Sequence, residues 1–97
     1  MRPSAFIYIL TNKTKTTLYV GVTTNLPTRL WEHRTGRHPD SFTARYRIGM
    51  LIYFEGFESI TDAIKREKYI KGKTRHWKEQ LIKTKNPEWL DLTDQIG

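Results

Sequence analysis

Two short apolar runs near the start of the chain have the alternation of side chains that a β-strand requires. They extend from Phe6 to Leu10 and from Leu18 to Val22. The polar residues 12–15 stand between them, in the place where a turn belongs. The pattern therefore predicts an antiparallel hairpin with strands over about residues 5–11 and 17–22.

The same alternation predicts how the two strands pair. A turn centred on residues 12–15 gathers the aliphatic side chains on one face of the hairpin. Tyr8 then lies opposite Tyr19 on the other face, and Phe6 lies opposite Gly21, where a ring can approach the backbone closely. Aromatic pairs across strands stabilise hairpins by themselves, so the two phenols have a structural interpretation as well as a functional one.

Helix-capping residues divide the rest of the chain. Side chains that can cap a helix N-terminus stand at Asn25, Ser59 and Thr74, and glycine or proline follows each predicted helix. An apolar and aromatic run precedes the second helix and predicts a third strand. The order β-β-α-β-α-α predicts one α+β domain over residues 1–97, with a small three-stranded antiparallel sheet flanked by helices. The predicted third strand covers residues 48–57, and the predicted helices cover residues 26–35, 60–71 and 75–84.

Positive charge is concentrated late in the chain. The formal net charge is +7, and residues 65–85 carry all of it, with nine Lys or Arg against two acids. Such a segment is typical of nucleic-acid binding, and the alternative is a solvated helix surface that keeps the protein in solution. The residues expected to contact phosphates are Lys65, Arg66, Lys68, Lys73, Arg75 and Lys78, with Arg37, Arg45 and Arg47 in a basic loop.

Composition excludes several classes of site. The chain has no cysteine, so it has neither a disulfide framework nor a thiolate site. It shows no signal-peptide pattern and no apolar run long enough to span a bilayer. We therefore expect a cytoplasmic protein without a membrane partner.

Glu67 is the unusual residue of the second predicted helix. At about 100° per residue it falls in the middle of an apolar stripe. A carboxylate in such a place needs a partner, because desolvating its charge is unfavourable. That partner is either Lys71, one helical turn later, or a divalent cation such as Mg²⁺. The stripe consists of Ile60, Ala63, Ile64 and Ile70.

Arg29 and His33 are four residues apart in the first predicted helix and so lie on one face of it. An arginine side chain can donate two hydrogen bonds to a phosphate, and a histidine can transfer protons near neutral pH. Taken by themselves, the two residues are equally consistent with an exposed polar face.

Taken in chain order, these residues resemble the GIY-YIG nuclease family over essentially the whole chain. The similarity is greatest to small stand-alone bacterial members, and it extends to the N-terminal domain of the excision-repair incision nuclease. One departure is Phe6, which stands where the family's name has glycine and where glycine would allow closer approach. The matching residues are Phe6-Ile7-Tyr8, Tyr19-Val20-Gly21, Arg29, His33, Glu67 and Asn86.

The resemblance implies hydrolysis of a phosphodiester bond with one divalent cation, Mg²⁺ or Mn²⁺. Glu67 would bind the metal, Tyr8 would activate water as a base and Tyr19 would orient the attack. Arg29 would stabilise charge on the phosphate, and His33 would support Tyr8 or relay its proton. A tyrosine ordinarily has a pKa near 10, so this role requires positive charge nearby, which Arg29 and the metal would supply.

The expected activity is therefore that of a DNA endonuclease with low sequence specificity or a preference for DNA structure, in repair or recombination. RNA is the alternative substrate. By the same resemblance, Asn86 would position the phosphate or brace the site. Two other functions stay open: a non-catalytic nucleic-acid-binding module of the same fold, and a nuclease subunit that a protein partner targets. An exposed aromatic such as Trp31 could anchor that partner.

Overall fold

The computed structural model describes residues 3–36 and 46–96. Within this part the chain forms three strands and three helices in the predicted order, which confirms the α+β class. The strands form one antiparallel sheet in the order β2-β1-β3. No helix in these two ranges has both the length and the apolarity to cross a membrane. The elements are β1 Ala5–Thr11, β2 Leu18–Thr23, α1 Leu26–Thr35, β3 Met50–Phe57, α2 Ile60–Lys71 and α3 Arg75–Lys85, and a 3₁₀ turn covers Thr93–Gln95.

Helices cover both faces of the sheet, because alternate residues of the central strand β1 point to opposite sides. The face that carries the tyrosines therefore packs against a helix and forms one of two hydrophobic cores, in which Tyr8 is fully buried. The core beneath α2 and α3 includes Ile7, Ile9, Ala63, Ile70 and Ile82. The core beneath α1 includes Tyr8, Leu10, Leu26, Leu30 and Leu51.

The pairing predicted for the hairpin is wrong by two residues. Tyr8 lies opposite Gly21, and Tyr19 lies opposite Leu10. The turn is longer than expected, because the Asn12 side chain accepts the N–H groups of residues 16 and 17, at 2.9 and 3.3 Å, and holds the loop together. A shift of two preserves the face to which each side chain points, so both tyrosines still lie on the same side of the sheet.

The helix starts are where the sequence predicts them. The side-chain oxygens of Asn25, Ser59 and Thr74 accept backbone N–H groups three residues later, at 3.2, 3.4 and 3.2 Å. At the end of α1, Gly36 adopts the left-handed conformation, with φ of 66°. These signals depend only on neighbouring residues, which is why they can be recognised without the tertiary structure.

The apolar stripe of α2 is narrower than predicted. Ala63 and Ile70 are buried, but Ile60 and Ile64 are 40% and 38% exposed. The helix contacts the sheet along a single line, and Ile64 is rotated by about 100° from Ala63 around the helix. Glu67 lies on that contact line, between Ala63 and Ile70, and is half-buried.

Candidate active site

The Tyr8 hydroxyl lies among side chains from β2 and α1. Its oxygen is 3.0 Å from Nε2 of His33. The ring centroids of Tyr19 and His33 lie 6.2 and 5.9 Å from that of Tyr8, and 5.4 Å from each other. Three of the predicted site residues therefore form one contact group, which we call the tyrosine cluster: Tyr8, Tyr19 and His33.

Arg29 joins the tyrosine cluster from the turn of α1 that precedes His33. Its guanidinium lies close enough to the Tyr8 hydroxyl to lower the pKa of that phenol, and its Nη1 lies 3.6 Å from Oε1 of Glu32. In the part of the chain that the structure describes, Arg29 Nε is the buried side-chain atom without a hydrogen-bond partner. A buried donor left without an acceptor costs about 1–3 kcal/mol, so an anionic oxygen placed here would relieve that cost.

Burial raises the pKa of Tyr8 to about 12, although the nearby Arg29 guanidinium opposes the increase. In the protein alone, Tyr8 is therefore a neutral phenol at neutral pH. The sequence suggested that nearby positive charge would favour the phenolate, but desolvation outweighs the effect of Arg29. A neutral phenol can still accept a proton from water if it gives up its own, and His33 Nε2 lies within hydrogen-bonding distance to receive it.

Gly21 provides the space in which the Tyr8 ring lies. A Cβ atom at this position would be 2.4 Å from both Cζ and the hydroxyl oxygen of Tyr8. The predicted close approach of a ring to Gly21 is correct, but the ring belongs to Tyr8 instead of Phe6. Phe6 packs edge-on against Phe54, with the ring centroids 6.5 Å apart, in the core beneath α1.

Glu67 makes the ion pair that was one of its two predicted interactions. Its Oε2 lies 3.0 Å from Nζ of Lys71, and its side chain is 13% exposed. Helix α2 packs on β1 and β2 from the side of the sheet opposite the tyrosine cluster. Helix α2, which carries Glu67, therefore contacts β2, the edge strand that also carries Tyr19.

A metal bound at Glu67 would have few protein ligands. Residues 3–36 and 46–96 contain no group of three or more His, Asp or Glu side chains that could hold a metal ion. One carboxylate completed by waters and substrate phosphate oxygens is nevertheless a ligand set that Mg²⁺ accepts. The donor set fits a cation that binds together with the substrate.

Asn86 braces the fold. Its Nδ2 donates to the carbonyl oxygens of Ile52 and Leu90, both at 2.9 Å, and its Oδ1 accepts the N–H of Leu90 at 3.0 Å. Both amide hydrogens are therefore used within the protein. Of the two roles expected for Asn86, the hydrogen bonds favour bracing, because no amide hydrogen is left to position a phosphate.

Replacing Asn86 with alanine should lower the free energy of unfolding by about 2–4 kcal/mol, because buried backbone groups of Ile52 and Leu90 lose their partners. Urea denaturation followed by circular dichroism measures this change. Gln80→Ala, an exposed amide on α3, serves as the control and should stay within about 0.5 kcal/mol of the wild type. Wild-type stability combined with lost cleavage in Asn86→Ala would contradict the bracing role.

Two of the arginines expected to contact phosphates have internal partners instead. Arg66 donates from Nε and Nη2 to the two carboxylate oxygens of Glu55, both at 3.0 Å. Arg75 donates to the carbonyl oxygens of Lys15 and Thr16, at 2.8 and 2.6 Å, and so attaches α3 to the β1–β2 loop. These internal hydrogen bonds make both side chains less available to DNA than the sequence suggests. The partners are distant in sequence, so no local pattern reveals them.

The other basic residues are more accessible. Lys65 and Lys68 are exposed and Lys78 is half-buried. Arg47 lines an open pocket of about 500 Å³ beside His33, together with Lys13, which the sequence analysis did not single out. Arg37 and Arg45 lie outside the described residues. Trp31 is 56% exposed on α1.

Residues 4–80 match the model of the GIY-YIG catalytic domain. The chain therefore belongs to the GIY-YIG family, a family of nucleases.

Within this family the chain resembles proteins called UPF0213. That of Syntrophus aciditrophicus (strain SB) is 41% identical over 83 residues, which cover 86% of this chain and 93% of the relative. That of Clostridium perfringens is 41% identical over 85 residues, which cover 84% and 85%. The solution NMR structure of a UPF0213 protein from Bacillus halodurans superimposes with a TM-score of 0.57 at 28% identity and covers 93% of this chain and 94% of that one.

Proposed function

We propose that the protein is a metal-dependent endonuclease that hydrolyses phosphodiester bonds of DNA at the tyrosine cluster. The observation that carries this proposal is the buried Arg29 Nε–H group without an acceptor, beside the Tyr8 hydroxyl. A phosphate oxygen is the acceptor that a guanidinium binds best, by charge as well as by geometry. Bound there, a phosphate would lie close to the group that we expect to activate water.

The raised pKa of Tyr8 favours a proton relay over a free phenolate. In this scheme the Tyr8 oxygen takes a proton from the attacking water while its own proton passes to Nε2 of His33. Arg29 opposes the negative charge that grows on the phosphate, and Tyr19, in contact with both rings, orients the phenol. The relay requires a neutral His33, because only a neutral imidazole has an acceptor nitrogen.

Glu67 would hold one Mg²⁺ or Mn²⁺ ion, and Lys71 would have to release the carboxylate for that ion to bind. When bound, such a cation acts as a Lewis acid that withdraws charge from the phosphate oxygens. Because substrate oxygens would supply further ligands, we expect weak metal binding without DNA and tighter binding with it.

Glu67→Ala should lower the nicking of supercoiled DNA by about 10²–10³-fold, the usual loss on removing one group that stabilises transition-state charge. The assay follows conversion of supercoiled to open-circular DNA, with branched substrates in parallel, in Mg²⁺ and in Mn²⁺. Glu79→Ala is the matched control, because it removes an ion pair of the same i,i+4 type, with Arg75, and should cleave like the wild type. Cleavage that persists in Glu67→Ala would exclude Glu67 as the metal ligand.

A second candidate function is nucleic-acid binding without catalysis. It is favoured by one observation, the Lys71 ammonium that already occupies the Glu67 carboxylate. Binding of DNA without any cleavage, in either metal, would support this function and contradict the proposed nuclease. We propose low sequence specificity for the nuclease, because contacts to backbone phosphates position a protein without selecting sequence. A role in DNA repair or recombination is part of the same proposal.

A further inference from the structure

Two aromatic rings meet at the turn between α2 and α3, on the side of the sheet opposite the tyrosine cluster. The ring centroids of Tyr69 and Trp77 lie 5.7 Å apart in an edge-to-face arrangement, with 79° between the ring planes. Trp77 packs partly on the core, whereas Tyr69 remains 51% exposed. Tyr69 therefore presents about half of its surface to solvent beside Trp77.

Two cations lie over this pair of rings. Lys73 Nζ is 4.4 Å from the Tyr69 centroid and 5.8 Å from that of Trp77. Arg66 Cζ is 5.7 and 5.9 Å from the same two centroids. A groove of about 400 Å³ continues from Trp77 along α3, past Gln80 and Leu81. We call Tyr69, Trp77, Lys73 and Arg66 the aromatic platform.

We propose that the aromatic platform binds an unpaired nucleotide of a single nucleic-acid strand. Its base would stack on Tyr69 against the edge of Trp77, and its phosphates would pair with Lys73. Proteins that bind single strands combine aromatic rings with basic side chains, because every base has a face that can stack and every nucleotide carries a negative charge.

Lys73 covers a ring in the absence of a ligand, but it can be displaced. A cation over an exposed ring contributes about 2- to 5-fold to an equilibrium, whereas stacking of one base contributes about 5- to 150-fold. A base should therefore replace the Lys73 ammonium on the Tyr69 ring. The displaced ammonium can then pair with a phosphate of the same strand, so that little interaction energy is lost. Arg66 stays in place because Glu55 holds its guanidinium through two hydrogen bonds.

The aromatic platform adds to the proposed function a site for an unpaired strand. It rests on that function in one respect, which is that the partner is a nucleic acid. A platform on the far side of the sheet from the tyrosine cluster would hold an unpaired strand while the neighbouring strand is cut. The substrate class that follows is a nucleic acid with a single-stranded segment, such as a flap or a branch, instead of an uninterrupted duplex.

The test measures binding without cleavage. The full chain is titrated, in EDTA, into fluorescein-labelled single-stranded oligonucleotides of thymine or uracil bases and into a duplex of the same length, and fluorescence anisotropy gives each Kd. Tyr69→Ala should weaken single-strand binding about 5- to 150-fold and change duplex binding less than about 2-fold. Tyr69→Phe keeps the ring and should bind like the wild type. The thymine and uracil arms distinguish DNA from RNA, and Tyr69-dependent binding of either one supports the proposal.

Trp31→Ala is the matched control, because it removes an exposed aromatic ring on α1, on the other side of the sheet, and should leave single-strand binding unchanged. Single-strand binding that survives Tyr69→Ala, or falls equally in Tyr69→Ala and Trp31→Ala, would overturn the proposal. Equal loss of single-strand and duplex binding in Tyr69→Ala would also overturn it. Because this assay measures binding in EDTA, whereas the nuclease proposal is tested by cleavage in Mg²⁺ or Mn²⁺, a failure of the nuclease proposal can be told apart from a failure of the platform.

Discussion

Tyr8→Phe is expected to lower the rate of DNA cleavage by about 10²–10⁴-fold, the range over which a positioned acid–base group contributes. The substitution removes the oxygen that lies 3.0 Å from Nε2 of His33 and that interacts with the guanidinium of Arg29. Without that oxygen, the proton of the attacking water has no path to the imidazole. Initial rates of plasmid nicking, measured at saturating DNA, give the loss directly.

The fold should survive this substitution. The phenylalanine ring would occupy the same fully buried place among Leu10, Leu26 and Leu30. The loss is limited to the hydroxyl and its hydrogen bonds, which contribute about 0.5–1.5 kcal/mol each to stability. A chemical denaturation curve close to that of the wild type, together with lost cleavage, would assign the effect to chemistry.

Tyr53→Phe is the matched control for Tyr8→Phe. Tyr53 is also a buried tyrosine of the sheet, in the core beneath α2 and α3, and its hydroxyl donates to the Glu55 carboxylate. The two substitutions thus remove the same group from opposite faces of one sheet. Equal loss of cleavage in both variants would show that any buried hydroxyl matters, and retained cleavage in Tyr8→Phe would remove Tyr8 from the mechanism.

The sequence predicts the parts of this fold that depend on neighbouring residues. The caps at Asn25, Ser59 and Thr74, and the stop at Gly36, are complete within a few residues and fix the helices. Alternation of side chains likewise fixes which face of the sheet holds both tyrosines, even though the pairing is wrong by two. A hairpin register depends on how the loop closes, and here the Asn12 side chain decides it.

The environment of the site could not be predicted in the same way. The pKa of Tyr8 depends on α1 covering the tyrosine face, so a local pattern that shows positive charge nearby gives the wrong direction. Arg66 and Arg75 look like phosphate ligands until the tertiary fold brings Glu55 and the β1–β2 loop to them. In each case the deciding partner lies far away along the chain.

Gly21→Ala should lower the rate of cleavage by at least about 10-fold, although it alters no group that takes part in the proposed chemistry. The reason is that misplacing a reacting group by about 1 Å can lower a reaction rate 10²-fold. The new Cβ would lie 2.4 Å from the Tyr8 hydroxyl oxygen, so the ring or the β2 backbone has to move. Movement of the ring takes the hydroxyl away from His33. Overpacking should also lower the free energy of unfolding by about 1–3 kcal/mol, which the removal of a flexible glycine from a strand partly offsets.

Gly72→Ala separates this effect from a general effect of adding a methyl group. The nearest atoms to a Cβ at Gly72 are backbone oxygens at 3.6 and 3.7 Å, which is ordinary contact, so this variant should cleave and unfold like the wild type.

A double variant decides where Gly21→Ala acts. If the added methyl group acts by displacing the Tyr8 hydroxyl, it should cost little further activity in a Tyr8→Phe background, because that hydroxyl is already gone. Fully additive losses would instead place the effect of Gly21 elsewhere in the site.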